Sequence, residues 1–442
     1  MSTAKSYILI VPIVLALLSL NGCQTLSGLF SANTGISNNE IKQAYYSKVA
    51  THEFQLVDKK LMVGTLAVVS TRENDTLSDI ARHYGLGFND VTIANPTLSP
   101  WTPEPNSKVL LPLRFIVPEA PRKGIVLNLA SMRMFYFPDN QPEKLFTYPV
   151  GIGKQGWNTP IGVTRIATKK ANPSWVVPVS IQREHAKKGA PLPKVVRSGP
   201  DNPLGYYAMN LGFPGYLIHG TNKPYGIGMQ VSHGCVQLYP EDIESLFNKV
   251  QVETPVRIVH QPYLAAWDND MLYLEAHEPL QKWQHAKTQL KKNFLRKLQK
   301  IAAKEKVTID WLKVEQALQR SDGIPTPILT GSPDISELLQ SALPLSHPDQ
   351  LFGQPVIKEI NDNDWSILVA TYQDAIKAQK MTAMLNHQGP AIPTRKIKIN
   401  DTYHVIAGPF SSKSEVKSVA NRLRTDFDID VTPLQPQLIS RK

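Results

Sequence analysis

Between Lys123 and His260 the chain is written as short β-branched and aromatic runs separated by glycine and proline. That texture limits the fold more than any other feature. Gly124-Ile125-Val126-Leu127-Asn128-Leu129 and Arg133-Met134-Phe135-Tyr136-Phe137 run apolar or alternate, with Ser131-Met132 between them as in a hairpin. Phe146 to Gly153 reads as a strand ending in a glycine-rich turn, and Thr159-Pro160-Ile161-Gly162-Val163 opens the next. Tyr206 to Leu211, Tyr216 to His219 and Thr254 to His260 return to strand. Pro240 to Phe247, with proline in its first turn and acids beside it, reads as a helix. Dense, punctuated strands of this kind predict a mainly-β sandwich or irregular barrel. The insertion Pro173 to Asn202, rich in proline and glycine, is expected as a loop or lid over one end.

The chemistry concentrates near the end of this stretch, in Ile218-His219-Gly220-Thr221 and Val231-Ser232-His233-Gly234-Cys235-Val236-Gln237. A thiol attacks an acyl carbon only as thiolate, so a nucleophilic cysteine needs a neighbouring base. Two histidines are available, His219 at the end of an apolar strand and His233 two positions before Cys235. Glycine in His233-Gly234-Cys235 permits a tight turn that presents the sulfur beside backbone N–H donors for an oxyanion. A cysteine with two histidines also suits zinc, but no fourth ligand or helical spacing accompanies them. An inert, buried thiol is the third alternative.

These residues resemble the catalytic domain of the YkuD-type L,D-transpeptidases: His219-Gly220, then Ser232-His233-Gly234-Cys235, with Thr159-Pro160-x-Gly162 upstream. The resemblance spans 123–260. It implies Cys235 as nucleophile, His219 as proton acceptor and donor, and the Gly220 carbonyl orienting that imidazole. It places His233 in the pocket and Ser232, Gly234 and Gln237 against substrate. Gln237 stands where the family commonly has Arg or Asn, so a hydrogen bond replaces a charge contact there. The implied reaction is a ping-pong acyl transfer. Cys235 cleaves the terminal D-alanine from a peptidoglycan tetrapeptide stem and holds the tripeptide as a thioester. An amine then takes it, either another stem's diaminopimelate, giving a 3-3 cross-link, or the terminal lysine of an anchored lipoprotein. No cofactor and no metal belong to this scheme.

The rest of the 442 residues suggests about three domains. Residues 1–22 carry Lys5 and the apolar run Tyr7 to Leu20, the layout of a secretory signal. Leu20-Asn21-Gly22-Cys23 resembles the bacterial lipobox, which implies a lipidated Cys23 holding the protein to a membrane; Gln24 points to the periplasmic face of the outer membrane. Cys235 is then the one free thiol. Residues 23–63 read as a tether. In 64–113 a strand, the helix start Thr76-Leu77-Ser78-Asp79, a second short helix and Val109-Leu110-Leu111-Pro112 follow one another. That order resembles a LysM module, a βααβ fold that binds N-acetylglucosamine-containing glycans.

Residues 261–362 read as a basic amphipathic helix and a proline-rich linker. Trp283, Ala286, Leu290, Phe294, Leu298 and Ile301 step along one helix face. Nine Lys/Arg against one acid between Lys282 and Lys306 account for most of the net charge of +11. Such a helix lies on anionic headgroups, binds an acidic envelope polymer, or packs its stripe on a neighbour. Because the charge is confined to this stretch, a nucleic-acid partner is excluded. Gly323 to Asn361, with six prolines, is expected to be linker.

The segment 363–438 reads as strand, helix, two strands, helix, strand, and with Tyr403-His404-Val405-Ile406-Ala407-Gly408-Pro409-Phe410 it resembles a SPOR domain. The same βαββαβ order occurs in RNA-binding modules, but the secretory leader argues against RNA. A SPOR resemblance implies binding to peptidoglycan glycan strands and enrichment at the septum. Two further functions compete with the transferase: a hydrolase of the same family that gives the thioester to water, and a catalytically silent glycan-binding tether.

Overall fold

A strand that is apolar at nearly every position needs cover on both faces. Gly124–Asn128 and Arg133–Phe137 are such strands, and every residue in both is buried. They sit inside one nine-stranded mixed sheet. Its order is Glu53–Gln55, Lys144–Pro149, Arg133–Phe137, Gly124–Asn128, Pro255–Val259, Gly162–Ala171, Tyr207–Leu211, Leu217–His219, Val236–Gln237. Two pairings are parallel, Pro255–Val259 with Gly124–Asn128 and Leu217–His219 with Val236–Gln237. This computed structural model describes residues 51–436 apart from 57–59, 188–190, 355, 387–390 and 428. The leader and the lipidated Cys23 expected above lie outside the described residues.

The mainly-β character holds, with one nine-stranded sheet as the main body and part of its second face covered by other units. Ile125, Leu127, Met134 and Tyr136 point into one core with Ile243 and Leu246 of the helix Pro240–Lys249. Val126, Phe135, Phe137 and Leu145 point the opposite way and join a core with Leu77, Ile80, Val109 and Leu111. Those partners belong to the unit expected over 64–113. In it Ala67–Ser70 pairs antiparallel with Lys108–Leu111, and the helices Leu77–His83 and Phe88–Ala94 lie between them in sequence. Thr76 caps the first helix by accepting from the Asp79 N–H.

Polar contacts reinforce the shared core. Arg133 is buried, donates to Asp90 Oδ2 at 3.0 Å and to the Gly85 carbonyl at 3.3 Å, and lies 3.9 Å over the Phe115 ring. Arg82 forms a fork to both carboxylate oxygens of Glu241 at 2.8 and 2.9 Å, joining Leu77–His83 to the helix Pro240–Lys249.

Two stretches differ from expectation. The end of the presumed tether is built into the fold: Glu53–Gln55 is the sheet's edge strand, and Met62–Gly64 pairs with Arg114–Ile116. The presumed helix-plus-linker is largely a folded unit with its own core. Tyr263–Asp268, Met271–Ala276 and Thr326–Pro327 form a three-stranded sheet on which Lys287–Glu305 and Trp311–Arg320 pack. Phe294 and Leu298 are buried there, so the apolar stripe is already covered by this unit. Leu343–Leu345 then pairs parallel with Ala67–Ser70. The prolines did not prevent this because Pro327 and Pro344 sit in edge strands, where one row of N–H groups needs no ladder partner.

The C-terminal unit keeps its expected order. Trp365–Tyr372, Thr394–Ile399, Thr402–Phe410 and Thr432–Leu434 form an antiparallel sheet, and helices Ala375–Asn386 and Lys413–Phe427 supply Ala378, Leu385, Val416 and Leu423 to its core. Among the described residues no helix is long and apolar enough to cross a membrane.

Arg133 tests the shared core. Arg133→Ala strips a buried cation from Asp90 and empties the space over Phe115, at a cost of about 3 kcal/mol in unfolding free energy. The expected result in urea unfolding is a lower midpoint with an unchanged slope, seen together by probes in both halves of the core.

Candidate active site

The two strands that carry the site are short, and their parallel register sets its geometry. Ile218 pairs with Val236 and His219 with Gln237. Side chains two apart on a strand share a face, and paired residues of neighbouring strands share it too. His219, Leu217, Gln237 and Cys235 therefore lie on one side, while Ile218 and Val236 enter the core on the other.

The turn before Cys235 is fixed by bonds within it. Ser232 Oγ donates to the Cys235 carbonyl at 2.6 Å and accepts from the Gly234 N–H at 3.1 Å. Thr159 Oγ1 donates to the Gly234 carbonyl at 2.9 Å and accepts from the Gly153 N–H at 3.1 Å. Gly234 has φ +105, and a Cβ there would meet Tyr216 Cε1 at 2.9 Å, so only glycine fits. Ser232 and Gly234 thus shape the turn. Ser232 also lines the cavity into which Cys235 opens.

His219 is buried, and its Nδ1 lies 2.6 Å from the Gly220 carbonyl. A carbonyl oxygen only accepts, so Nδ1 carries the proton and Nε2 keeps its lone pair. Burial pushes this imidazole down to about 4, with the Gly220 carbonyl opposing the shift. Burial likewise pushes the Cys235 thiol up, with a backbone contact from Leu217 pulling the other way. Cys235 Sγ lies 3.9 Å from the Gly215 carbonyl. Both shifts favour the uncharged forms, a thiol and a neutral imidazole.

His233 is engaged elsewhere. Its Nε2 is 3.0 Å from Glu184 Oε2, and its ring meets Trp157 edge-on at 4.9 Å. Both it and Gln237 line the cavity together with Cys235, His219, Trp175 and Tyr216. The cavity holds about 640 Å³, and among the described residues no Lys or Arg lines it. A carboxylate entering it would meet hydrogen-bond donors and aromatic edges, not a cation.

Three residues with parts in the site were not legible as such. Thr159 stood out in the sequence only as part of a motif, and its hydroxyl is the link between the turn and the strand Ile152–Gly153. Glu184 and Lys154 pair at 3.1 Å beside His233. Glu184 falls in the 173–202 insertion, where punctuation by proline and glycine hid a nine-residue helix, Val179–Lys187, between the paired strands Trp175–Val176 and Val195–Val196. The helix formers from Gln182 to Lys187 were the available signal.

Two segments of the chain match known families. Residues 122–258 match the model of the L,D-transpeptidase catalytic domain, and residues 361–429 match that of the SPOR domain. The probable L,D-transpeptidase YcfS of Escherichia coli is 41% identical over 215 residues, covering 47% of this chain and 67% of the relative. The probable L,D-transpeptidase ErfK/SrfK of Salmonella typhimurium is 37% identical over 281 residues, covering 62% of this chain and 90% of the relative. The catalytic domain of an Enterococcus faecium L,D-transpeptidase, solved by NMR, superposes with a TM-score of 0.25 at 22% identity, over 32% of this chain and 99% of that one. The chain belongs to the L,D-transpeptidase family of cysteine-dependent acyltransferases and carries a SPOR domain at its C-terminal end.

Proposed function

We propose that Cys235 and His219 carry out the L,D-transpeptidase reaction on peptidoglycan stems. The observation that carries this is the shared face of the parallel pair Leu217–His219 and Val236–Gln237, which opens both side chains to one cavity. Cys235 Sγ attacks the carbonyl carbon of the stem's third residue while its proton passes to His219 Nε2. The imidazolium returns that proton to the nitrogen of the departing D-alanine, and a thioester remains. An amine then attacks the thioester and loses its proton through the same imidazole, which restores the thiol. With the Gly234 N–H held by Ser232, the N–H of Cys235 itself is the turn donor assigned to the oxyanion. Gly220 fixes the tautomer throughout, and Gln237 offers a hydrogen bond to the donor stem.

The same reading extends to the other units. The 64–113 unit serves as a LysM-type glycan-binding module, supported by its strand–helix–helix–strand order. Lipidation of Cys23 would hold the enzyme to the periplasmic face of the outer membrane, with the SPOR domain favouring septal glycan strands. The acceptor is a second stem's diaminopimelate or the terminal lysine of an anchored lipoprotein.

Incubating the protein with a tetrapeptide donor tests the assignment. Mass spectrometry should show a tripeptidyl adduct on Cys235 and one released D-alanine, and Cys235→Ala should give neither. His219→Ala should acylate about 10²- to 10⁴-fold more slowly, the usual contribution of a positioned base. An adduct that survives Cys235→Ala sinks the reading.

The pH dependence follows from the burial of His219. Attack needs neutral imidazole, and the folded value is about 4, so the acylation rate should fall only as pH drops through about 4. An exposed imidazole would instead lose half its rate near the ordinary histidine value. The same shift has a stability sign. The unfolded chain binds the His219 proton more readily, so stability is full above the unfolded value of 6.5 and is lost as pH falls from there toward 4. Rate–pH profiles of acylation, paired with urea midpoints at the same pH values, check both halves.

A further inference from the structure

One wall of the catalytic cavity is supplied by the insertion: Trp175, Val176, Pro178, Ser180 and Ile181 face Cys235 and His219 across it. The insertion is closed on itself at its base and tied to the body farther along. At its base, the side chain of buried Asn202 donates to the carbonyls of Pro173 at 2.8 Å and Arg197 at 3.1 Å. At its far end, Glu184 holds it. Ile181 and Glu184 are three apart on the helix Val179–Lys187 and share a face. Glu184 Oε1 meets Lys154 Nζ at 3.1 Å, and Oε2 meets His233 Nε2 at 3.0 Å. Glu184 and His233 are 27% and 24% exposed, so water screens this contact only in part. The paired strands at the base are two residues each, too short to fix the wall alone.

We infer that Glu184 is a positioning residue which closes the insertion over the thioester and so directs the acyl group to an amine instead of water. The inference rests on Cys235 as the nucleophile. Both competing nucleophiles need the same base, and His219 is locked in one tautomer by Gly220, so the base does not choose between them. Selection must come from access. An apolar wall of Trp175, Val176, Pro178 and Ile181 keeps bulk water from the acyl carbon, provided that its far end stays down. In the hydrolytic step that closure suppresses, the water oxygen bonds to the acyl carbon and the carbon–sulfur bond breaks. One water proton passes through His219 to the Cys235 sulfur, and the other stays on the new carboxyl group. The contact also reaches the nucleophile's own turn, since His233 precedes Cys235 by two residues.

The test uses the full-length protein, a disaccharide-tetrapeptide donor and a diaminopimelate-containing stem as acceptor. The readout is the initial ratio of hydrolysed tripeptide to cross-linked dimer. Only molecules that acylate contribute to this ratio, so a loss of folded protein does not move it. Glu184→Ala should raise the ratio about three- to tenfold, the scale of a partly exposed ion pair. Glu184→Gln, which keeps an acceptor for His233 but not the charge for Lys154, should fall between that variant and wild type. A wild-type ratio in Glu184→Ala, with Cys235 still acylated, overturns the inference and leaves the nucleophile assignment standing. A wild-type protein that never acylates on Cys235 overturns both.

Discussion

Two adjacent strands buried on both faces are the constraint on which the molecule depends. Gly124–Asn128 and Arg133–Phe137 send alternate side chains into different cores, one behind the catalytic strands and one under the N-terminal unit. The core under the N-terminal unit cannot be completed by the L,D-transpeptidase segment alone, because Val126, Phe135, Phe137 and Leu145 would then face water. Uncovering a contiguous apolar patch of that kind is costly. The N-terminal unit therefore has a structural part to play whatever it binds. The forked Arg82–Glu241 pair runs from that unit to the helix Pro240–Lys249, whose Ile243 also lies within 3.0 Å of where a Cβ on Gly220 would stand.

Burial sets the electrostatics of the site. A thiol raised by burial and an imidazole lowered by it are two results of the same low-dielectric wall. In such a wall a standing ion pair would be expensive, so the proton is better moved during the attack than before it. The bonds of the Ser232–Cys235 turn serve the same end. Ser232 and Thr159 satisfy its backbone groups from inside, leaving the sulfur free to face the cavity. Among the described residues its lining holds no Lys or Arg, and Trp175, Tyr216 and Gln237 supply its aromatic and amide groups.

The candidate pair was legible in the sequence because nucleophilic chemistry tolerates few substitutes: a thiol beside a glycine turn, and a histidine sixteen positions upstream at the end of an apolar strand. Single strands and helices were legible for the same reason that binary patterns usually are, and Thr76 and Asp79 marked a helix start that the structure keeps. What the sequence did not disclose is which faces meet. The apolar run at Gly124 announces two-sided burial, yet nothing local says that the second cover comes from residues some forty positions upstream. Proline density misled in a different way. Proline forbids the middle of a sheet but not its edge, so Pro327 and Pro344 look like linker residues while standing in strands. Glu184 was hidden because its function depends on His233 and Lys154, far away in sequence and close in space.

The basic helix shows how a local pattern acquires meaning from its neighbours. Read alone, an apolar stripe with nine cations behind it resembles a surface-seeking helix. In the fold, Leu290, Phe294, Leu298 and Ile301 close a core with Tyr263 and Leu274, so this stripe has no apolar face left to offer a bilayer. The cations then divide by direction. Lys287 pairs with Glu278, Lys291 with Glu315 and Lys297 with Glu119, three acids from three different elements. Those pairs lie along the side that meets the body and lock the helix in place, each contributing little by itself. Lys292, Arg296 and Lys300 recur every four residues and stay exposed. A segment carrying most of the protein's net charge is thus partly a structural strut, with Lys292, Arg296 and Lys300 left on its exposed side.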